Sequence, residues 1–148
     1  MNEVAPRPFI VVGVDGSELS EAALRWAVGQ ARLTGAEVHA VMAWNVPVSI
    51  YLSPVAGEER YEREAEEVMD TVLRTVADEA QNVPVTKRMV GKHPSQALVR
   101  AADGAELLVV GSHGHGGFPG MHLGSVATYC VHHAPCPVLV YRGEHTGR

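Results

Sequence analysis

Apolar residues fall along this chain in two alternating rhythms. The run Phe9-Ile10-Val11-Val12-Gly13-Val14 is unbroken and β-branched and stops at Asp15-Gly16-Ser17, the pattern of a strand covered on both faces. Leu19, Ala22, Ala23, Trp26, Ala27 and Ala31 then recur at helical spacing until Thr34-Gly35, where glycine ends the helix. The alternation repeats. Glu37 to Trp44 predicts a second strand. Tyr61, Ala65, Val68, Met69, Val72, Val76 and Ala77 mark one stripe of a long helix that starts at Glu58, and Val83 to Val90 predicts a third strand. His93-Pro94-Ser95-Gln96 opens a short helix through Ala97, Leu98, Ala101 and Ala102, with Pro94 suited to its first turn. Ala105 to Val110 is the fourth strand, Val126 to His133 a helix started by Ser125, and Pro137 to Tyr141 the fifth strand. Asn45 to Gly57, with Pro47, Pro54 and Gly57 and no periodicity, reads as a mobile loop.

Strands alternating with helices predict one α/β domain over residues 1–148, with an ordered core of about 8–142. Its three α/β/α layers hold a five-stranded parallel sheet with right-handed crossovers. Such sheets bind ligands outside the carboxyl ends of their strands, where the strand order reverses. Asp15-Gly16-Ser17 and Gly111-Ser112-His113-Gly114 both fall at carboxyl ends, so neighbouring strands one and four would make them opposite walls of one crevice.

Composition narrows the function classes. With 148 residues, 46% hydrophobic and 20% charged, the chain suits a single soluble core, and no apolar run is long enough to cross a bilayer. The first residues carry no basic segment followed by an apolar stretch, which leads us to expect the cytosol and no membrane. A net charge of −5 and no basic cluster beyond Lys87-Arg88 argue against nucleic acid. Cys130 and Cys136 read as buried structural thiols. The charged stretch from Glu58 is either the solvated face of its helix or a partner-binding acidic face.

The chemistry concentrates around Val110, Gly111, Ser112, His113 and Gly114, followed by Gly124, Ser125 and Val126. Glycines at 111, 114, 116, 117, 120 and 124 let an anionic ligand approach main-chain N–H groups. At the start of the last helix, unpaired amides and the positive end of the dipole meet an anion. The alternative is a flexible surface loop with Ser125 as helix cap. Asp15 either caps the first helix or accepts hydrogen bonds from ribose or adenine. His113, His115, His122, His132 and His133 crowd the same stretch, but their spacing fits no zinc signature, so no metal site is assigned. Neither GxSxG nor GxxxxGK[ST] occurs, so no catalytic residue is assigned and any ATP hydrolysis is expected to be slow.

Gly111-x2-Gly114-x9-Gly124-Ser125 matches the G-x2-G-x9-G-[S/T] pattern of ATP-binding universal stress proteins, and the chain resembles that family from about Pro8 to Arg142. Ile10 to Ser17, Val90-Gly91-Lys92-His93-Pro94 and Ala134-Pro135-Cys136-Pro137-Val138-Leu139-Val140 support the resemblance. The resemblance implies strand order 3-2-1-4-5, a nucleotide beside strands one and four, and a homodimer through the fifth strands. It also implies that Asp15, next to Gly13 and Val14, lies at the adenosine end, and that the backbone of Ala43 contacts adenine. By the same carry-over, Val110, Gly111 and Gly114 border ribose and phosphates within the loop that holds Ser112 and His113. Gly124, Ser125 and Val126 give amides to the phosphates. Lys or Arg is often found inside this loop in the family, and here there is neither. Phosphate charge must then be met by backbone dipoles and Mg²⁺. The expectation is an ATP-binding regulatory protein of the stress response. The alternatives are an AMP or cyclic AMP module, a weak ATPase or adenylyl-transfer enzyme, and a structural dimeric module with an empty crevice.

Overall fold

The computed structural model describes residues 6–44, 57–114 and 123–143. The elements run β1 (Phe9–Gly13), α1 (Glu18–Thr34), β2 (Glu37–Ala43), α2 (Glu58–Val76), β3 (Val85–Val90), α3 (Pro94–Ala101), β4 (Leu107–Gly111), α4 (Ser125–His133) and β5 (Val138–Tyr141). All strand pairs are parallel, in the order β3-β2-β1-β4-β5 that the family resemblance implies. Residues 45–56, the bulk of the expected mobile loop, and 115–122, the middle of the glycine loop, lie outside the described residues.

The period-two geometry of strands sorts the apolar runs onto two faces. Ile10, Val12, Val14, Val38, Ala40, Met42 and Val109 pack with α1 and α2 residues such as Leu24, Val28, Met69 and Val76. Val11, Val41, Leu108 and Val110 pack on the other face with Leu98, Ala101, Ala127 and Cys130 of α3 and α4. The central strands are therefore buried on both sides, which explains why their sequences are continuous rather than alternating. Each fully buried Leu or Val contributes about 1.5–3 kcal/mol of transfer free energy.

Most expected boundaries move by a residue or two, and three of the shifts have a clear local reason. Val83 is buried, but its N–H donates to Ala80 O (3.0 Å) and Pro84 has no N–H, so β3 begins at Val85. Ala105 N donates to Ala102 O (2.9 Å), a turn bond that delays β4 to Leu107. Ala77 is the C-cap of α2 and not its continuation. On the surface of α2, Lys87 of β3 bridges Asp70 (2.9 Å) and Glu66 (3.4 Å), and the bond to Asp70 is the main cause that holds its ammonium pKa above the ordinary value. Part of the acidic run is thereby occupied within the fold.

Cys130 is buried, as expected, whereas Cys136 is only partly so. Burial, and secondarily the neighbouring Cys136, pushes the Cys130 thiol from 9.0 up to about 11. Because this folded-state value lies above the unfolded one, its contribution to stability is complete below pH 9.0 and is lost as pH rises to about 11. Chemical denaturation at pH 8 to 11 should show Cys130→Ala losing less stability over that interval than the parent, whatever its stability at neutral pH. In the same assay at pH 7, Leu108→Ala should cost about 2–5 kcal/mol, and Leu33→Ala, at a position 83% exposed, less than about 0.5.

Candidate functional site

β1 and β4 lie side by side, and the helices that follow them leave toward opposite faces of the sheet. A crevice opens where they part, at the carboxyl ends of the strands. It holds a cavity of about 370 Å³ lined by residues from β1, β2, β4, the first turn of α1, α3, α4 and the connections between them. Of the twelve residues singled out in the sequence, eleven line it: Gly13, Val14, Asp15, Ala43, Val110, Gly111, His113, Gly114, Gly124, Ser125 and Val126.

Ser112 does not line the cavity. It is buried at the end of β4, its N–H donates to Tyr141 O (2.8 Å), and its carbonyl accepts from Gly124 N (2.6 Å). That second bond closes the base of the glycine loop, so Ser112 serves the loop's geometry and not the cavity wall. Sequence reading missed Ser20, Val41, Pro94, Leu98 and Ala127, which also line the cavity. A signal was present for some of them. Val41 is two residues before Ala43 on the same face of β2, and Pro94 and Leu98 are spaced i, i+4 on α3.

The cavity has chemically distinct ends. Toward β2 and α3 it is walled by Val41, Ala43, Pro94 and Leu98. The β1–β2 ladder stops at Gly13↔Val41, with one further bond from Val14 N to Val41 O (2.9 Å), so Ala43 runs past β1 and its backbone is exposed to the cavity on that side. Toward β4 the wall is the N-terminus of α4, from Gly124 to Ala127. Here the structure corrects the expected cap. Gly124 is the N-cap, Ser125 is the first helical residue, no side chain caps this end, and the first turn has no acidic residue. α1 is the opposite case, with Ser17 as cap accepting from Ser20 N (3.2 Å) and Glu18 and Glu21 in its first turn. The amides of α4 thus offer the positive end of a helix dipole to whatever fills the cavity.

Asp15 stands between these ends, and it is not itself the helix cap. Its Oδ1 accepts from Ser17 N (2.9 Å) and Ser17 Oγ (2.5 Å), and its own N–H donates to Ser20 Oγ (3.2 Å). The turn that brings it there needs Gly16, at φ +85°. Held from both sides, the carboxylate is carried across the crevice so that Oδ2 abuts Gly114, where an added Cβ would overlap it. Gly124 is similarly crowded, since a Cβ there would lie 3.2 Å from His113 Cα and 3.5 Å from Ser112 O. These glycines permit close approach of protein to protein at the loop base. Room for a ligand is not the only reason for them.

The histidine crowd is divided. His113 lines the cavity, with Nδ1 3.3 Å from Gly114 O. His132 and His133 sit in the last turn of α4, roughly 12 Å along the axis from Ser125, where they suit the dipole. His115 and His122 lie outside the described residues. Among the described residues, no three His, Cys, Asp or Glu side chains come together as a metal-holding group.

The family model described as the universal stress protein family matches residues 9–142. A universal stress protein of Mycobacterium tuberculosis is 38% identical over 133 residues, covering 90% of this chain and 45% of that protein. The chain thus spans just under half the length of the curated relatives it matches. Among solved structures, a universal stress protein in complex with cAMP is 27% identical with a TM-score of 0.70, covering 93% of this chain and 98% of that one. The universal stress protein from Archaeoglobus fulgidus in complex with dAMP is 25% identical with a TM-score of 0.69, covering 94% and 100%. UspA from Lactobacillus plantarum, at 24% identity and a TM-score of 0.76 over 94% and 100%, shares the fold.

The two helix starts generate a paired prediction. In urea denaturation, Ser17→Ala should cost about 1 kcal/mol through the lost cap, and Ser125→Ala less than about 0.5, because its hydroxyl caps nothing.

Proposed function

The chain belongs to the universal stress protein family, and we propose that this domain is an adenine-nucleotide-binding regulatory module. In this reading, ATP with Mg²⁺ is the ligand and the cytosol the place of action. The carrying observation is the single cavity wall that joins an apolar slot, a tethered carboxylate and an uncapped helix N-terminus. The dimensions suit a nucleotide, since small-ligand pockets run from about 300 to 1,000 Å³.

Each part of a nucleotide has a chemically matched surface. A planar, mostly apolar base fits between Val41 and Ala43 on one side and Pro94 and Leu98 on the other, with the exposed backbone of Ala43 available to its polar edge. Asp15 accepts from ribose hydroxyls, as acidic residues do in other nucleotide-binding α/β folds. The amides of Ser125, Val126 and Ala127 take the phosphates. Relatives solved with cAMP and dAMP favour a second reading, in which a monophosphate is the physiological ligand. Val138, Leu139, Val140 and Tyr141 form a half-buried apolar edge strand, which supports pairing of two chains through β5.

Isothermal titration with ATP, ADP, AMP and cyclic AMP, with and without Mg²⁺, tests the proposal. Saturable heat with an adenine nucleotide, lost in Gly124→Ala, is the expected result. Absence of heat and of any thermal shift with all four would overturn it. ATP binding tighter than the monophosphates would favour the first reading over the second.

A further inference from the structure

The cavity carries only two ionisable side chains among its described lining residues, Asp15 and His113. Neither Lys nor Arg is among them. Among the described lining residues, a nucleotide phosphate placed at the α4 N-terminus therefore meets backbone dipoles and, in His113, one side chain that can become a cation. Building on the nucleotide-binding reading above, we propose that His113 is the cavity's charge-selecting phosphate contact, so that capture of a nucleotide includes uptake of a proton on its imidazole.

Position and chemistry agree on this role. His113 follows directly on the loop-closing residue Ser112 and packs against the α4 cap, so close that a Cβ on Gly124 would lie 3.2 Å from its Cα and 3.5 Å from its Cβ. Its Nδ1 lies 3.3 Å from Gly114 O, a carbonyl that can only accept, which favours the tautomer with the proton on Nδ1. Nε2 is then the basic nitrogen. Protonated there, the ring becomes a charged donor in the cavity that Ser125 and Val126 also line, and a charge-assisted hydrogen bond to phosphate replaces a neutral one. Among the described residues, the other walls do not compete for this charge. α4 has no acidic residue in its first turn, α3 contributes Pro94 and Leu98, and β2 contributes Val41 and Ala43. Of the described lining residues, Asp15 is the one that carries a negative charge, and its Oδ1 is engaged by Ser17.

Cyclic AMP is the discriminating probe, because its phosphodiester has no second ionisation and keeps one charge across the range in which histidine titrates. Its affinity for the whole chain, measured by titration calorimetry without Mg²⁺, should be roughly fivefold higher at about pH 5.5 than at about pH 8, the size of one partly exposed charge pair. In His113→Gln the two affinities should coincide. In His113→Arg they should coincide at the tighter value, and circular dichroism should show all three proteins folded at both pH values. Equal affinities in the parent protein, or an undiminished pH response in His113→Gln, would overturn the role of His113 while leaving nucleotide binding in place. No binding of cyclic AMP, ATP or AMP at either pH would instead overturn the nucleotide-binding reading, and this one with it.

Discussion

Every feature of the site depends on β1 being paired on both sides. A parallel strand in the middle of a sheet must have its backbone bonded to two neighbours and its side chains buried on two faces. β1 meets this with β2 on one side and β4 on the other. Right-handed crossovers then put α1 and α2 over one face and α3 and α4 over the other. The carboxyl ends of β1 and β4 are left without a helix between them. The crevice follows from satisfying the hydrogen bonds of one strand under one handedness rule, and the polar groups found there occupy space that the packing could not fill.

Within the crevice, polarity is arranged by tethering. Asp15 is fixed through its amide by Ser20 and through its carboxylate by Ser17, so the start of α1 uses its own capping residues to hold an acid in position. Across from it, α4 begins with glycine and has no cap. One helix start has its orphan amides partly satisfied by side chains, and the other leaves them to the cavity. The bond from Gly124 N to Ser112 O keeps the second start beside β4, where it faces the first.

Most of the architecture was legible because long apolar runs and helical stripes are strong signals. The five strands and four helices appear in the expected order, and errors fall at ends where a single turn bond decides the matter, as at Val83 and Ala105. Strand order was not readable from periodicity and came from the family resemblance. In the site, residues flanking the two glycine turns were readable because they are contiguous in sequence. Leu98 and Val41 were not, since a core leucine and a cavity-lining leucine look alike until the fold shows which has an empty space beside it. Ser112 differs from its neighbours in the loop, being buried and not among the residues that line the cavity. Its place inside the motif does not show that its carbonyl accepts from Gly124 N and its amide donates to Tyr141 O, which only the fold reveals.

The two margins of the sheet are unlike. β3 carries Lys87, which is drawn over α2 by Glu66 and Asp70, and next to it Arg88, so this margin presents charge to any approaching strand. β5 at the opposite margin offers Val138, Leu139, Val140 and Tyr141. Edge-to-edge growth needs two adhesive sides, and the proposed pairing along β5 would use one. Association along β5, if it forms the proposed pair, would occupy that margin in both participants and stop there, where a symmetric sheet of similar strands would be open to fibre formation.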